Sequence, residues 1–324
     1  MDSSINQVAK DIRSLKIQGA RNIAKAAVEA LVNSAEESKA KSKNDLYEHL
    51  LKDAKILEAT RPTEPMMRNS LDDTLRFILA WIQTNPKEGI SELKKDMGSH
   101  YKSFLIQMSA SSKKIAEHGV KEIPDGSNIL IHCHSSTLIN TLKAAHELNK
   151  NIHVTCLETR PLYQGRLSAR ELAAFGIKTD LAIDSSAGSQ MKKMDLVLTG
   201  ADAITAEGDL INKIGTFTLA QLAHLHSVRF LCAAEIYKYD PLTRFGTSTK
   251  IEQRDQMEVW GTGLYAKESS QSFEKIPKNL HIQNPAFDRT PAGLISAYIT
   301  EEGIIPPAQI AIIAEQKIRG EKKW

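Results

Sequence analysis

The apolar positions of the first 120 residues recur at helical spacing. Ile23, Ala26, Ala27, Ala30 and Leu31 fall on one face of a helix. A second stretch of this kind runs from Asp45 to Leu57, a third from Asp72 to Ile82, and a fourth from Ile90 to His118. Thr60-Arg61-Pro62-Thr63-Glu64-Pro65 breaks the pattern, because proline disfavours helix at and before its own position. After Ile123-Pro124-Asp125-Gly126 the texture changes. Short apolar runs at 128–132, 152–157, 180–184, 195–199 and 229–234 alternate with helical segments at 137–149, 167–175 and 216–226. Strands alternating with helices predict a parallel sheet joined by right-handed crossovers. Two further runs, 257–260 and 280–283, predict additional strands, and Pro307 to Lys317 a closing helix. The expected architecture is α/β: an N-terminal all-helical domain over residues 1–122, then a doubly wound, mostly parallel Rossmann-like sheet domain over residues 123–324.

Composition narrows the class. Apolar residues make up 41% of the 324 and charged residues 25%, the balance of a globular chain with a substantial core. A net charge of +3 is too small to drive nucleic-acid binding in bulk. The three cysteines, Cys133, Cys156 and Cys232, are odd in number and lack a CxxC spacing, which argues against a disulfide frame or a zinc site. A reducing cytoplasm fits that usage. The start MDSSINQVAKDI lacks the apolar stretch of a signal peptide. No run approaches the roughly 18 apolar residues of a membrane span. Neither membrane nor nucleic acid is expected as a partner, and no metal site.

Candidate chemistry gathers at strand ends, where open α/β sheets bind their ligands. Cys133 follows the first predicted strand in SNILIHCHSST, and Asp202 follows the fourth in MDLVLTGADAI. A thiol and a carboxyl delivered to one edge suit proton transfer. A small cysteine before a capped helix and an aspartate in a turn read equally well as structure. Ser135, Ser136 or Thr137 caps the following helix, and the unpaired amides there form an anion site. A thiol facing that helix start has a lowered pKa. His132 and His134 flank it, one expected in the core and one near the cleft. Gly208-Asp209-Leu210-Ile211-Asn212-Lys213-Ile214-Gly215-Thr216 reads as a glycine-flanked turn that presents Asn212 and Lys213 to a phosphate. Gly19-Ala20-Arg21-Asn22, Arg61, Arg160, Arg166 and Lys238 form a scattered basic set, each singly also readable as a solvated charge. Asp288-Arg289-Thr290-Pro291 reads as a cap and turn.

In this order, GARN, ATRP, IHCHSS, ETRP, GADAI, GDLINKIGT, AEIYK and NPAFDRTP resemble one superfamily. It joins the regulatory α, β and δ subunits of translation initiation factor 2B to sugar-phosphate isomerases, and the resemblance runs from about Ser14 to Glu315. The regulatory subunits have no need of the Cys or the Asp, and this chain keeps both. Methylthioribose-1-phosphate isomerases look like HCNAG and GADRI, whereas this chain reads HCHSS and GADAI. It is closer to the archaeal ribose-1,5-bisphosphate isomerases. That resemblance implies conversion of ribose 1,5-bisphosphate to ribulose 1,5-bisphosphate in AMP degradation, with no cofactor. It implies Cys133 as proton acceptor and Asp202 as proton donor. It implies substrate contacts at Gly19, Ala20, Arg21, Asn22, Arg61, Ser135, Ser136, Thr137, Asn212, Lys213 and Lys238. AMP as an activator and a homo-oligomer, from dimer to hexamer, are implied as well. The competing readings are an initiation-factor-like regulatory subunit and a methylthioribose-1-phosphate isomerase. Two phosphates call for two cation sets: one near Arg21, Arg61 and Lys213, the other around residues 135–137 and Lys238.

Overall fold

The computed structural model describes residues 4–261 and 276–319. Its first half is helical: α1 (Ser4–Arg13), α2 (Ala20–Glu37), α3 (Lys43–Glu58), α4 (Pro65–Thr84) and the long α5 (Ile90–Glu122). The apolar faces read from the sequence pack as one core, in which Ile23, Leu31, Leu46, Leu50, Met67 and Leu71 are fully buried. Each such side chain contributes about 1.5–3 kcal/mol of burial. Helix α1 adds Ile5, Ala9 and Ile12 to that core. Its short run of apolar residues gave no separate signal in the sequence. Helix α5 belongs to two cores at once. Leu93 and Met97 lie in the helical core, and Ile115 and Val120 lie against the sheet.

The second half is built on a seven-stranded sheet. Its strands are β1 (Asn128–Ile131), β2 (His153–Leu157), β3 (Lys178–Ala182), β4 (Leu196–Thr199), β7 (Arg229–Ala233), β9 (Ala297–Thr300) and β10 (Gly303–Ile305). The order is β10-β9-β7-β4-β1-β2-β3, all parallel except β10 against β9. The helices between them are α6 (Ser136–Glu147), α7 (Gln164–Ala174), α8 (Ala187–Met191) and α9 (Thr216–Leu225), with α11 (Ile310–Arg319) closing the chain. Alternation along the strands divides the sheet's cores. Ile129, Ile131, Leu196 and Leu198 pack with α5, α6 and α7 on one face. Leu130, Val197, Phe230 and Cys232 pack with α8, α9 and α11 on the other. Burial on both faces is why these strands read as unbroken apolar runs. The strand order reverses between β1 and β4, which opens a crevice at their carboxyl ends.

Four expectations fail here. Residues 257–260 form a short helix, α10 (Met257–Trp260), and 280–283 form no strand. Asp255 starts that helical turn by accepting the Met257 N–H at 2.9 Å, and residues 255–261 are mostly exposed, so there is no sheet face for them to bury. The segment read as a phosphate-holding turn contains a buried strand, β6 (Leu210–Lys213), which pairs antiparallel with β5 (Ala203–Ile204) and β8 (Phe287–Thr290). Asp288 to Thr290 is therefore strand, where the sequence suggested a cap and turn. The cap survives in another form, because Asp288 accepts the N–H groups of Gly215 at 2.7 Å and Phe217 at 3.2 Å and so secures the start of α9. Among the described residues no helix is long and apolar enough to cross a membrane.

Candidate active site

Cys133 and Asp202 leave the two central strands on either side of the crevice. Cys133 sits at φ +68°, a left-handed conformation that costs a non-glycine residue about 1–3 kcal/mol. Its own backbone is held on both sides: the N–H donates to Thr159 Oγ1 at 2.9 Å, and the carbonyl accepts from Ser168 Oγ at 2.9 Å. Ser135 caps α6 by accepting the Leu138 N–H. Gly200, just before Asp202, is required at that point. A Cβ there would fall 2.7 Å from Ser135 Cβ, so glycine lets the end of β4 approach the start of α6. The Asp202 N–H donates to the Ile211 carbonyl at 2.9 Å, and Ala203 and Ile204 beside it are fully buried.

These loops enclose a cavity of about 250 Å³, the scale of a small-metabolite site. Every residue assigned by resemblance lines it, alongside Cys133 and Asp202. Gly19, Ala20, Arg21 and Asn22 stand at the start of α2, and Arg61 comes from the α3–α4 loop. Ser135, Ser136 and Thr137 open α6, Asn212 and Lys213 lie on β6, and Lys238 ends a 3-10 turn after β7. His132 and His134 line it too. His132 Nε2 lies 2.8 Å from the Ile214 carbonyl, and His134 Nδ1 lies 3.0 Å from Ser168 Oγ. Arg160, Arg166 and Asp288 are not among the lining residues. Arg160 donates to the Tyr163 hydroxyl at 2.7 Å, and Arg166 pairs with Glu158 at 3.0 Å.

The charges divide differently from the expected two sets. Arg21, expected beside Arg61 and Lys213, belongs with Lys238 and Thr137, because all three converge on Glu235. Arg21 Nη1 lies 2.6 Å and Lys238 Nζ 3.3 Å from the Glu235 carboxylate, which also accepts the Thr137 hydroxyl at 2.7 Å. Arg61 pairs instead with Glu64 at 3.2 Å and Glu252 at 3.0 Å. Lys213 lies over the Phe287 ring, 5.3 Å from its centroid, and has no ion-pair partner among the described residues. Sequence reasoning passed over Glu64, Glu235 and Glu252. A lone acid carries no periodicity, and Arg21 lies 214 residues from Glu235.

Burial sets the protonation of the central pair. It pushes the Cys133 thiol up to about 11, with Lys213 pulling down and Asp202 pushing further up. The lowered thiol pKa expected from a helix start is thus absent, because loss of water outweighs the nearby ammonium. Burial also raises the Asp202 carboxyl, against Lys213, Lys238 and Arg61. Glu235 goes the other way. Burial opposes its charge, but Lys238 and Arg21 bring it down to about 2. Lys238 loses by burial yet ends above the ordinary lysine value because of Glu235 and Asp202. The site therefore offers a thiol and a carboxyl, both raised by burial, in a crevice flanked by cations and by two helix starts whose amides suit anions.

Comparison with known proteins agrees with this architecture. A family model described as "Initiation factor 2 subunit family" matches residues 16–307. The ribose 1,5-bisphosphate isomerase of Pyrococcus furiosus is 39% identical over 313 residues, covering 96% of this chain and 93% of that protein. The methylthioribose-1-phosphate isomerase of Desulforamulus reducens is 35% identical over 311 residues, covering 93% and 86%. The crystal structure of the Pyrococcus horikoshii translation initiation factor eIF-2B superposes with a TM-score of 0.77 at 27% identity, covering 95% of this chain and 99% of that one. The chain belongs to the initiation factor 2 subunit family.

Proposed function

We propose that this family member is an intramolecular isomerase that converts ribose 1,5-bisphosphate to ribulose 1,5-bisphosphate. The observation that carries the reading is a thiol and a carboxyl, Cys133 and Asp202, meeting over one cavity at the sheet's switch point. It stands beside end-to-end similarity to the Pyrococcus furiosus isomerase of that name.

The chemistry follows from the substrate. A phosphate on C1 locks the ribose ring, so the ring must be opened by protonating its oxygen. Asp202, kept toward its neutral form by burial, gives that proton. Cys133, as thiolate, removes the C2 proton as the ring carbon–oxygen bond breaks, leaving an enol phosphate. The thiol then returns its proton to C1, and the Asp202 carboxylate takes the proton of the C2 hydroxyl, so both groups end as they began. The required thiolate is the minor form of a thiol raised to about 11, and the Lys213 ammonium beside it favours that form. Lys213, Lys238, Arg21, Arg61 and the starts of α2 and α6 hold the two phosphates, with Asn212 beside them. No cofactor is called for, since the exchange is internal to the sugar.

The chain is further proposed to act in AMP degradation in the cytoplasm, to assemble as a homo-oligomer between dimer and hexamer, and to be activated by AMP. Its division into domains 1–122 and 123–324 is part of the same proposal. Purified protein incubated side by side with ribose 1,5-bisphosphate and methylthioribose 1-phosphate is the test. The reading requires ribulose 1,5-bisphosphate from the first and little product from the second. Preference for the second substrate would replace it with methylthioribose-1-phosphate isomerisation. Turnover of neither would favour a regulatory subunit. Activity with and without AMP, and light scattering in solution, test the remaining two points.

A further inference from the structure

Glu64 stands at the N-cap of α4, yet its side chain makes no capping hydrogen bond. The side chain is 2% exposed and lines the same cavity as Asp202. Oε1 accepts from Arg61 Nη2 at 3.2 Å. Oε2 is buried and has no hydrogen-bond partner among the described residues. An unpaired buried polar atom costs about 1–3 kcal/mol, and in a native structure it calls for a role.

The neighbours say which kind. Arg61 of its own loop, Lys238 beyond β7, and Glu252 and Arg254 of the segment before α10 face Glu64 electrostatically, as does Asp202. Two or three cations already crowd the place, which disfavours a metal ion. A phosphate oxygen only accepts, so it pairs with the carboxyl in its acid form alone and repels the carboxylate. A hydroxyl both donates and accepts. In ribose 1,5-bisphosphate two hydroxyls are free, those on C2 and C3. We infer that Glu64 Oε2 binds one of these two ring hydroxyls, making Glu64 a substrate-positioning residue on the Asp202 side of the cavity. The inference rests on the sugar-bisphosphate reading given above.

Its protonation has a consequence that can be measured. Burial, and Asp202 when it is ionised, push the Glu64 carboxyl up to about 8, against Arg61 and Lys238. At neutral pH it is the uncharged acid, which can bind a hydroxyl without repelling two phosphates. Above that pH it ionises and opposes the bisphosphate. Glutamine imitates the uncharged acid at every pH.

The experiment measures kcat and KM for ribose 1,5-bisphosphate from about pH 6.5 to about pH 9.5 on full-length wild type, Glu64→Gln and Glu64→Ala. The wild-type KM is expected to rise above pH 8. Glu64→Gln should match the wild-type KM at pH 7 and lose the rise. Glu64→Ala should raise KM up to about tenfold at pH 7, the scale of one lost hydrogen bond. A wild-type KM that stays flat through pH 8, or a Glu64→Gln KM at pH 7 as high as that of Glu64→Ala, overturns the assignment alone. Should Glu64→Ala fail to fold, the glutamine arm decides by itself. Wild type that turns over none of this substrate at any pH overturns the sugar-bisphosphate reading and the assignment with it.

Discussion

Two buried carboxyls at one site behave in opposite ways: Glu64 lines the cavity, while Glu235 does not line it but holds the lining residues Arg21, Thr137 and Lys238. Glu235 sits among Arg21, Lys238 and the Thr137 hydroxyl and is held ionised, near a pKa of about 2. Glu64 has Arg61 at hydrogen-bond distance, keeps one oxygen without a partner among the described residues and is pushed up to about 8. Asp202 shares the Glu64 side and is likewise raised. Burial is nearly equal in the two places, so the surrounding charges decide the outcome: Lys238 and Arg21 beside Glu235, the acids Asp202 and Glu252 beside Glu64. A carboxylate with three partners is a strut that ties α2, α6 and the turn after β7 together. A carboxyl short of partners is an acid ready for chemistry.

The comparison breaks most visibly at the reacting pair. Cys133→Ser and Asp202→Asn should keep the fold and lower kcat by roughly 10²–10⁴-fold, the range for a lost general acid or base. Circular dichroism and steady-state kinetics on both variants check this, and full activity in either one removes that residue from the mechanism.

The strut side should respond in stability. Glu235→Ala strands Arg21 and the buried Lys238 without their carboxylate, and a broken buried pair costs about 3–5 kcal/mol. Urea unfolding reads that loss directly. A change below about 1 kcal/mol would mean that the cluster is not the clamp described here.

A pH series sharpens the same contrast. The Glu235 carboxyl titrates near 4.5 in the unfolded chain and near 2 in the fold. Between those values the unfolded chain binds more protons, so stability rises with pH there. The stability gap between wild type and Glu235→Gln should therefore be full above pH 4.5 and shrink as pH falls toward 2. A gap independent of pH in that window contradicts the assigned charge state.

The smallest effect belongs to a pair outside both clusters. Lys113 and Glu117 are 4.0 Å apart on the exposed face of α5, with side chains 81% and 58% accessible. Glu117→Gln should change stability by less than about 0.5 kcal/mol in urea unfolding.

The same contrast marks where sequence reasoning succeeds. Five sheet strands and the main helices were legible because burial on two faces, or on one helical face, writes a period into the chain. Cys133 and Asp202 were legible because strand ends can be located from that period. Strand β8 was not, since Phe287-Asp288-Arg289-Thr290 has no apolar alternation and finds its partner, Leu210–Lys213, about 77 residues earlier in the chain. Strands β9 and β10 were not legible either, being only four and three residues long. The acids Glu64 and Glu235 were invisible as functional residues because their meaning lies in partners brought from other elements. The raised Cys133 pKa was missed because a helix start can be read from sequence, whereas the loss of water around a thiol cannot.

The most direct measurement of the central claim follows phosphorus resonances while purified wild type and Asp202→Asn act on ribose 1,5-bisphosphate. The account predicts that ribulose 1,5-bisphosphate accumulates with wild type and is slower by at least about 10²-fold with the variant. Equal rates for the two proteins, or no ketose product from the wild type, would contradict it.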